Sequence, residues 1–207
     1  QRVRLAASLA IDRKAISEAE TLGASKPNGN VVPRSFEFAL PLDPHPYDPA
    51  RAKKLLAEAG YPNGFDGGDL HPWPPNTPTA EPVGTYLGAV GIRTKIPTME
   101  RAAFYAALGT KKLKGVCMCV NALYGNASSR LSETVPAEGA YAYGAYPDIE
   151  ALYRQQMGET DKKKRQAMLH QIQQMIYDRV RFASIYDYIW ASGVGPRAEE
   201  PALLLID

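Results

Sequence analysis

The strongest constraint in this sequence is a change of hydrophobic period that recurs between residues 80 and 120. Residues 80 to 90 carry helical spacing, GIRTKIPTM alternates Ile92, Thr94 and Ile96 as a strand does, ERAAFYAAL returns to the helical period, and GVCMCV is a short apolar run. Helix, strand, helix, strand in that order makes each strand-to-strand connection a helical crossover, which joins parallel strands and excludes a simple antiparallel meander. The fold class is therefore read as α/β, a mixed sheet flanked by helices.

The helix boundaries around this stretch are strongly punctuated. In YDPARAKKLLAEAGYPNG, Asp48 can accept from first-turn N–H groups, and Pro49 takes the first helical position, where its missing N–H costs nothing. Ala52, Leu55, Leu56 and Ala59 form one apolar stripe, Gly60 permits a left-handed exit and Pro62 forbids continuation. RVRLAASLA reads as a first helix, after which Asp12 caps a second, with Ile11 and Ile16 at the positions of a hydrophobic staple. Residues 23 to 46 are rich in Gly, Pro and Asn and read as a long loop. FDGGDLHPWPPNTPT reads as loop with one edge strand, because its prolines argue against a central one. A short helix is expected near residues 128 to 134, and Pro147 opens another over DIEALYRQQM. Thr160 or Asp161 opens a long helix reaching about Arg181, with Leu169, Ile172, Ile176 and Val180 as its buried stripe. Gln166, His170, Gln173 and Tyr177 share its exposed flank. Two short strands, FASIYDY and IWASGVG, follow.

Composition enters by exclusion. A formal charge of +2 with 45% apolar residues lacks the basic excess of a nucleic-acid surface, so no nucleic-acid partner is expected. The lysines of DKKKRQ sit in one helical turn and read as a solvated face. No apolar run approaches the roughly 18 residues needed to span a bilayer. No nucleophile elbow, phosphate-binding glycine loop or zinc-protease helix is present, so neither catalysis nor a cofactor is expected. His45, His71 and His170 lack metal-ligand spacing, so no metal is expected. Cys117 and Cys119, two apart on one strand face, read as small buried side chains between which an unstrained disulfide is not expected.

Two places read as a binding surface. GVCMCV runs directly into NALYGNASSR, which puts Asn121, Tyr124, Asn126 and Arg130 beyond a sheet's carboxyl edge, where open α/β sheets take ligands. Trp73 stands among prolines in LHPWPP and is expected to line the same concave surface. These five are the candidate ligand-binding residues, and Asn121, Tyr124, Asn126 and Arg130 would suit a hydroxylated, amide-bearing or anionic ligand. Tyr141, Tyr143 and Tyr146 serve either packing or ligand contact.

The order of motifs resembles a known family. RVRLAASLAIDRKAI, YDPARAKKLLAEAGYPNGF, LGAVGIRTKI, ERAAFYAAL and YPDIEALYRQQMGETDKKKRQAMLHQIQQMIYD are similar, in that order, to the carboxyl-terminal lobe of family 5 extracellular solute-binding proteins. These are the oligopeptide, dipeptide and nickel-type receptors of ABC importers. The resemblance covers nearly the whole chain and implies a periplasmic-binding-protein-like lobe of type II. Residues 1–192 would be the second lobe, and residues 193–207 would return toward a first lobe that this sequence lacks. The chain opens at Gln1 in mid-pattern, as a processed chain or fragment would.

The implied function is capture of a peptide, an opine-like conjugate or another small polar solute between lobes, without covalent chemistry, and delivery to the membrane permease subunits. The implied location is the periplasm, or the outer surface of a Gram-positive cell through a lipid anchor. In peptide-binding relatives, the segment matching VNALYGNASSRL carries an acid that pairs with the peptide's amino terminus. Here Leu123 matches it, and no acid occurs from Asn121 through Arg130. A cytoplasmic ligand-sensing regulator or peptide chaperone with the same fold is the alternative, marked by a DNA-binding segment upstream in place of a secretory signal.

Overall fold

The computed structural model describes residues 1–74, 77–120, 125–144, 146–189 and 195. Helices α1 (Arg2–Ala10) and α2 (Arg13–Thr21) meet where the Asp12 carboxylate accepts from Ala15 N at 3.0 Å, with Ile11 and Ile16 both buried. The loop after α2 contributes β1 (Lys26–Pro27). Helix α3 (Pro49–Glu58) starts and stops on the residues that fence it. Asp48 Oδ1 accepts from Arg51 N at 2.9 Å, and Gly60 leaves at a φ of +93°.

Next come β2 (Phe65–Pro72), α4 (Thr77–Ala89), β3 (Ile92–Lys95), α5 (Arg101–Gly109) and β4 (Val116–Met118). They build a three-stranded parallel sheet in the order β3-β2-β4, the topology that the alternating periods imply. The position of β2 corrects the sequence reading, which made its segment a loop with one edge strand, for β2 is central. Its only proline is the last residue, and its two glycines absorb a register shift between Asp66 and Gly68, the latter at a φ of +75°. Its first half pairs with β3 and its second with β4. Gly115, at a φ of +92°, lets β4 approach, since a Cβ there would collide with the Asp69 backbone.

Strand β4 lies at the sheet edge among the described residues and is half-exposed, where a buried strand was expected. Leu70 and Met118 face a core formed with α1, α3 and α4, while Trp73, Cys117 and Cys119 pack on the other face against Phe104 and Leu108 of α5. Cys117 and Cys119 are joined in a disulfide. β4 ends between them at Met118, and their 6.1 Å Cα separation lies within the reach of a disulfide, which corrects the expectation of two separate side chains.

A second core, around Leu131, Ile149, Leu169, Ile172 and Ile176, is made by α6 (Ala127–Ser132), α7 (Pro147–Met157), α8 (Lys162–Asp178) and part of the long loop. Gln173 departs from its expected exposed flank, for it is fully buried. Its Nε2 donates to Phe38 O and Leu169 O, both at 2.9 Å, and its Oε1 accepts from Leu40 N at 2.8 Å and Asn30 Nδ2 at 2.6 Å. One amide thus satisfies buried polar groups of a loop that has little regular structure to do so. Strand β5 (Tyr186–Asp187) pairs antiparallel with β1 and is shorter than the FASIYDY strand expected. Most of IWASGVG, and residues 193–207 apart from Gly195, lie outside the described residues.

Arg13 ties the remote segments together. Its buried guanidinium donates from Nε to Ser184 O at 2.6 Å, from Nη1 to Ser8 O, Ile11 O and His45 O, and from Nη2 to Ser8 Oγ at 2.8 Å. Burial pulls its pKa down to about 10, so it stays charged at neutral pH. Replacing Arg13 with Met would leave these acceptors without a donor. We expect a loss of about 3–5 kcal/mol, read from urea unfolding followed by circular dichroism.

His45 sits above this cluster, stacked on Tyr177 with ring centroids 4.4 Å apart and its Nδ1 3.2 Å from Ser8 Oγ. Because Ser8 Oγ accepts from Arg13, its own hydrogen is available to Nδ1, an arrangement that needs neutral imidazole. Burial, and then the Arg13 and Arg51 charges, lower the His45 pKa below its ordinary 6.5. The unfolded chain therefore takes the proton first. Stability present above pH 6.5 is lost as pH falls from there through the lowered folded value. Melting temperature should drop over that window in the native chain and flatten in His45→Gln.

Candidate functional site

The carboxyl ends of the parallel strands converge on one edge, where the backbone leaves regular structure and side chains are free to serve a ligand. As β2 ends, Trp73 N donates to Met118 O of β4 at 2.8 Å, which seats the indole beside the end of β4. Trp73 is half-buried against Phe104, with Met99, Cys117, Cys119 and Tyr141 in the same cluster, so packing covers part of the ring that the sequence left uncommitted. Its Nε1 donates to the Tyr105 hydroxyl at 2.6 Å. The Arg101 guanidinium lies 6.0 Å from the Trp73 ring and 5.9 Å from the Tyr105 ring. Arg101 and Tyr105 are exposed members of α5 at i and i+4, hence on one face. Beside this wall, a groove of about 320 Å³ runs between the ends of β2 and β3, lined by Pro72, Pro74, Thr77, Glu81, Ile96 and Met99 among others.

Arg130 approaches the same edge from α6. Its Nε donates to Val31 O at 2.8 Å, while its buried Nη1 meets no partner. Burial lowers its pKa to about 10, and Tyr141 and Glu133 are the groups whose negative charge would offset this. The Tyr141 hydroxyl donates to Val120 O at 3.3 Å, just past β4, and burial pushes its pKa up. Tyr141 therefore links Trp73, in whose cluster it packs, to Arg130, whose charge it feels.

Asn126 is used otherwise. Its Oδ1 accepts from Ser128 N at 2.9 Å and Ser129 N at 3.1 Å, and Ser129 Oγ accepts in return from Asn126 N at 3.0 Å, a reciprocal cap on α6. The capping geometry commits its oxygen to the helix and leaves only the amide nitrogen for a ligand. Asn121 and Tyr124 lie outside the described residues. The sequence reading passed over Arg101 and Tyr105, since ERAAFYAAL was read only as a helix. The signal was an exposed cation and aromatic at i, i+4, next in space to Trp73. Among the described residues no cluster of His, Cys, Asp or Glu could hold a metal, and no helix is long and apolar enough to cross a membrane.

Residues 1–163 match the model of the bacterial extracellular solute-binding proteins, family 5 Middle. The chain is similar to the Glutathione-binding protein GsiB of Pectobacterium atrosepticum, with 30% identity over an alignment of 193 residues that covers 85% of this chain and 37% of that protein. Among solved structures it is similar to the dipeptide binding protein from Pseudoalteromonas sp. SM9913 in complex with Met-Leu. That match has a TM-score of 0.79 and 24% identity, and covers 89% of this chain and 39% of the other. The periplasmic binding protein DppA from Helicobacter pylori, in complex with peptide STSA, matches at a TM-score of 0.77 with 22% identity over 90% of this chain and 38% of its own. The chain thus spans well under half the length of each.

The two buried arginines give contrasting expectations. Arg13 has all three nitrogens engaged, whereas Arg130 keeps a desolvated Nη1 without a partner. Replacing a poorly compensated buried cation by an apolar side chain of similar volume is often neutral or stabilising. Arg130→Met should therefore change unfolding stability by no more than about 1 kcal/mol, against the large loss for Arg13→Met. Urea midpoints of the two variants side by side check this.

Proposed function

This chain belongs to family 5 of the bacterial extracellular solute-binding proteins, and on that premise we propose that it is most of the second lobe of an ABC-importer receptor. In this reading it works outside the cytoplasmic membrane. It closes over a short peptide or peptide-like anion and presents that ligand to the permease subunits, without turning it over. The observation that carries the reading is the composition of the site. Trp73, Tyr105, Tyr141, Arg101 and Arg130 gather at the carboxyl edge of the parallel sheet, an aromatic and cationic wall beside a groove. Trp73 and Arg130 remain our candidate ligand contacts from the sequence, Tyr105 and Arg101 join them, and Asn121 and Tyr124 stay candidates by position.

The charge of this wall suits a carboxylate. The Arg130 Nη1, buried without a partner, is the donor that a ligand oxygen would satisfy, and a bond to a charged group is the strong kind. The absence of an acid between Asn121 and Arg130 leaves a free amino group to be met by the other lobe. Glutathione, the ligand named for the Pectobacterium relative, is a short peptide with two carboxylates and is the first ligand to try.

A half-cleft leaves one side of the ligand in water, whereas small-ligand pockets typically bury about 70–90% of ligand surface. The entropic cost of capture is incurred either way, so affinity should fall by several factors of ten, each about 1.4 kcal/mol, when the first lobe is missing. Hinged closure of two lobes is then the event that the permease senses. Calorimetric titration of this chain, and of the protein extended by its upstream coding sequence, with glutathione, dipeptides and tripeptides tests this. We expect weak binding by the chain alone and tight binding by the extended protein, reduced in Arg130→Met. Equal sub-micromolar affinity in both would mean that the site is complete in one lobe and would overturn the reading.

A further inference from the structure

We propose that Cys117 and Cys119 form a redox-active pair that exchanges with small thiols and disulfides at the wall of the candidate site, with His71 as the base for Cys117.

The first observation is what this disulfide does not do. A cross-link stabilises a fold chiefly by restricting the unfolded chain, and the effect grows with the loop closed. Cys117 and Cys119 are two residues apart, so the loop is about as short as a disulfide can close. The bond ties no separate elements together: Cys117 lies in the edge strand β4 and Cys119 just past its end, both half-buried and neither a member of the two large cores. A structural staple would be placed otherwise.

The second observation is His71. It pairs in register with Cys117 across β2 and β4, and neighbouring strands lie about 4.8 Å apart, so the two side chains leave the same face side by side. His71 is 6% exposed. Its Nε2 lies 3.0 Å from Lys114 O, and a carbonyl can only accept, so Nε2 carries the hydrogen and Nδ1 is a bare acceptor. That Nδ1 is buried and has no partner. A disulfide cannot donate to it, but the S–H of a reduced Cys117 can. The reduced pair therefore supplies the hydrogen bond that the oxidised pair leaves unmade, which favours reduction and makes the disulfide a ready oxidant.

The exchange balances without any further reagent than a thiol or disulfide. In the reduced pair, Cys117 gives its proton to His71 Nδ1, and the Asp69 carboxylate, 3.9 Å from Nε2, faces the imidazolium that forms. The thiolate attacks one sulfur of a small disulfide, a protein–ligand S–S bond forms, the ligand's own S–S bond breaks, and a thiolate leaves and is protonated. Cys119 then attacks Cys117 Sγ, expelling the second ligand thiol and restoring the intramolecular disulfide. Run backward, the same steps reduce the pair at the cost of two small thiols. Trp73 N is bonded to Met118 O, between the two cysteines, and the Trp73 and Tyr141 rings pack in their cluster. The exchanging molecule is thereby placed at the candidate site's own wall.

Oxidised glutathione as probe, with intact-mass analysis of acid-quenched samples, tests this. The fully reduced native chain should regain its disulfide with two thiols released per chain. Cys119→Ser should stop at one glutathionyl adduct on Cys117. Cys117→Ser should react about tenfold more slowly, because no strand partner among the described residues sets a base beside Cys119 as His71 is set beside Cys117. Adding His71→Gln to Cys119→Ser should remove that advantage. The rate of each single variant in urea gives the unassisted thiol for comparison, so a folding defect in the His71 variant does not decide the matter. Equal rates for the two single variants, rates no faster than in urea, or a native disulfide that survives excess reduced glutathione would each overturn the proposal.

Discussion

Five hydrogen bonds from one buried guanidinium hold together segments that are far apart in the chain. Arg13 draws the carbonyls of Ser8, Ile11, His45 and Ser184, and the Ser8 hydroxyl, onto a single cation. A buried charge without a carboxylate is tolerated only when fixed dipoles replace its water, so each of those segments must sit where it does. The end of α1, the start of α2, the close of the long loop and the approach to β5 are positioned by that one requirement. His45 extends the cluster to Tyr177 of α8 by ring stacking.

Gln173 performs the matching task in the second core. Its amide satisfies four buried groups and fixes residues 30 to 40 against α8, while Arg130 reaches Val31 from α6. The long loop is therefore the seam between two apolar cores, held by side-chain amides and guanidinia where a sheet ladder would serve elsewhere. The site gains from this arrangement. The small cluster of Phe104, Leu108 and Leu113 lies apart from both cores, on the sheet face that α5 covers, and reaches Trp73 and Tyr141 at the carboxyl edge. Rigid strands set Trp73, and a capped helix sets Arg130, so the wall is preorganised.

Much of this was legible in the chain because the signals were local. Asp12, Asp48 and Asp161 cap the helices that follow them, since a carboxylate reaches N–H groups only two or three residues on. The switching hydrophobic period gave the parallel strands and their crossover helices. The stripe of Leu169, Ile172 and Ile176 is buried as its spacing requires. Where the reading failed, the deciding partner lay far off in sequence. FDGGDLHPWPP carries turn residues, yet becomes the central strand because β3 and β4 add to its two halves. Gln173 looks like a solvent residue on a helical wheel, and only the arrival of the long loop gives its amide three of its four partners.

The site divides in the same way. The sequence by itself determined the fold class, the helix limits and the order of strands that leaves Trp73 where β2 ends. These follow from periodicity, caps and the order of strands, each fixed within a few residues. Only the tertiary structure decided that Asn126 caps a helix, that Arg101 and Tyr105 share the wall with Trp73, that Arg130 holds a donor in reserve, and that His71 stands beside a disulfide. Those roles depend on the burial and pairing of side chains from different elements, and neither burial nor an unmet hydrogen bond is a property of a residue until the chain has packed around it.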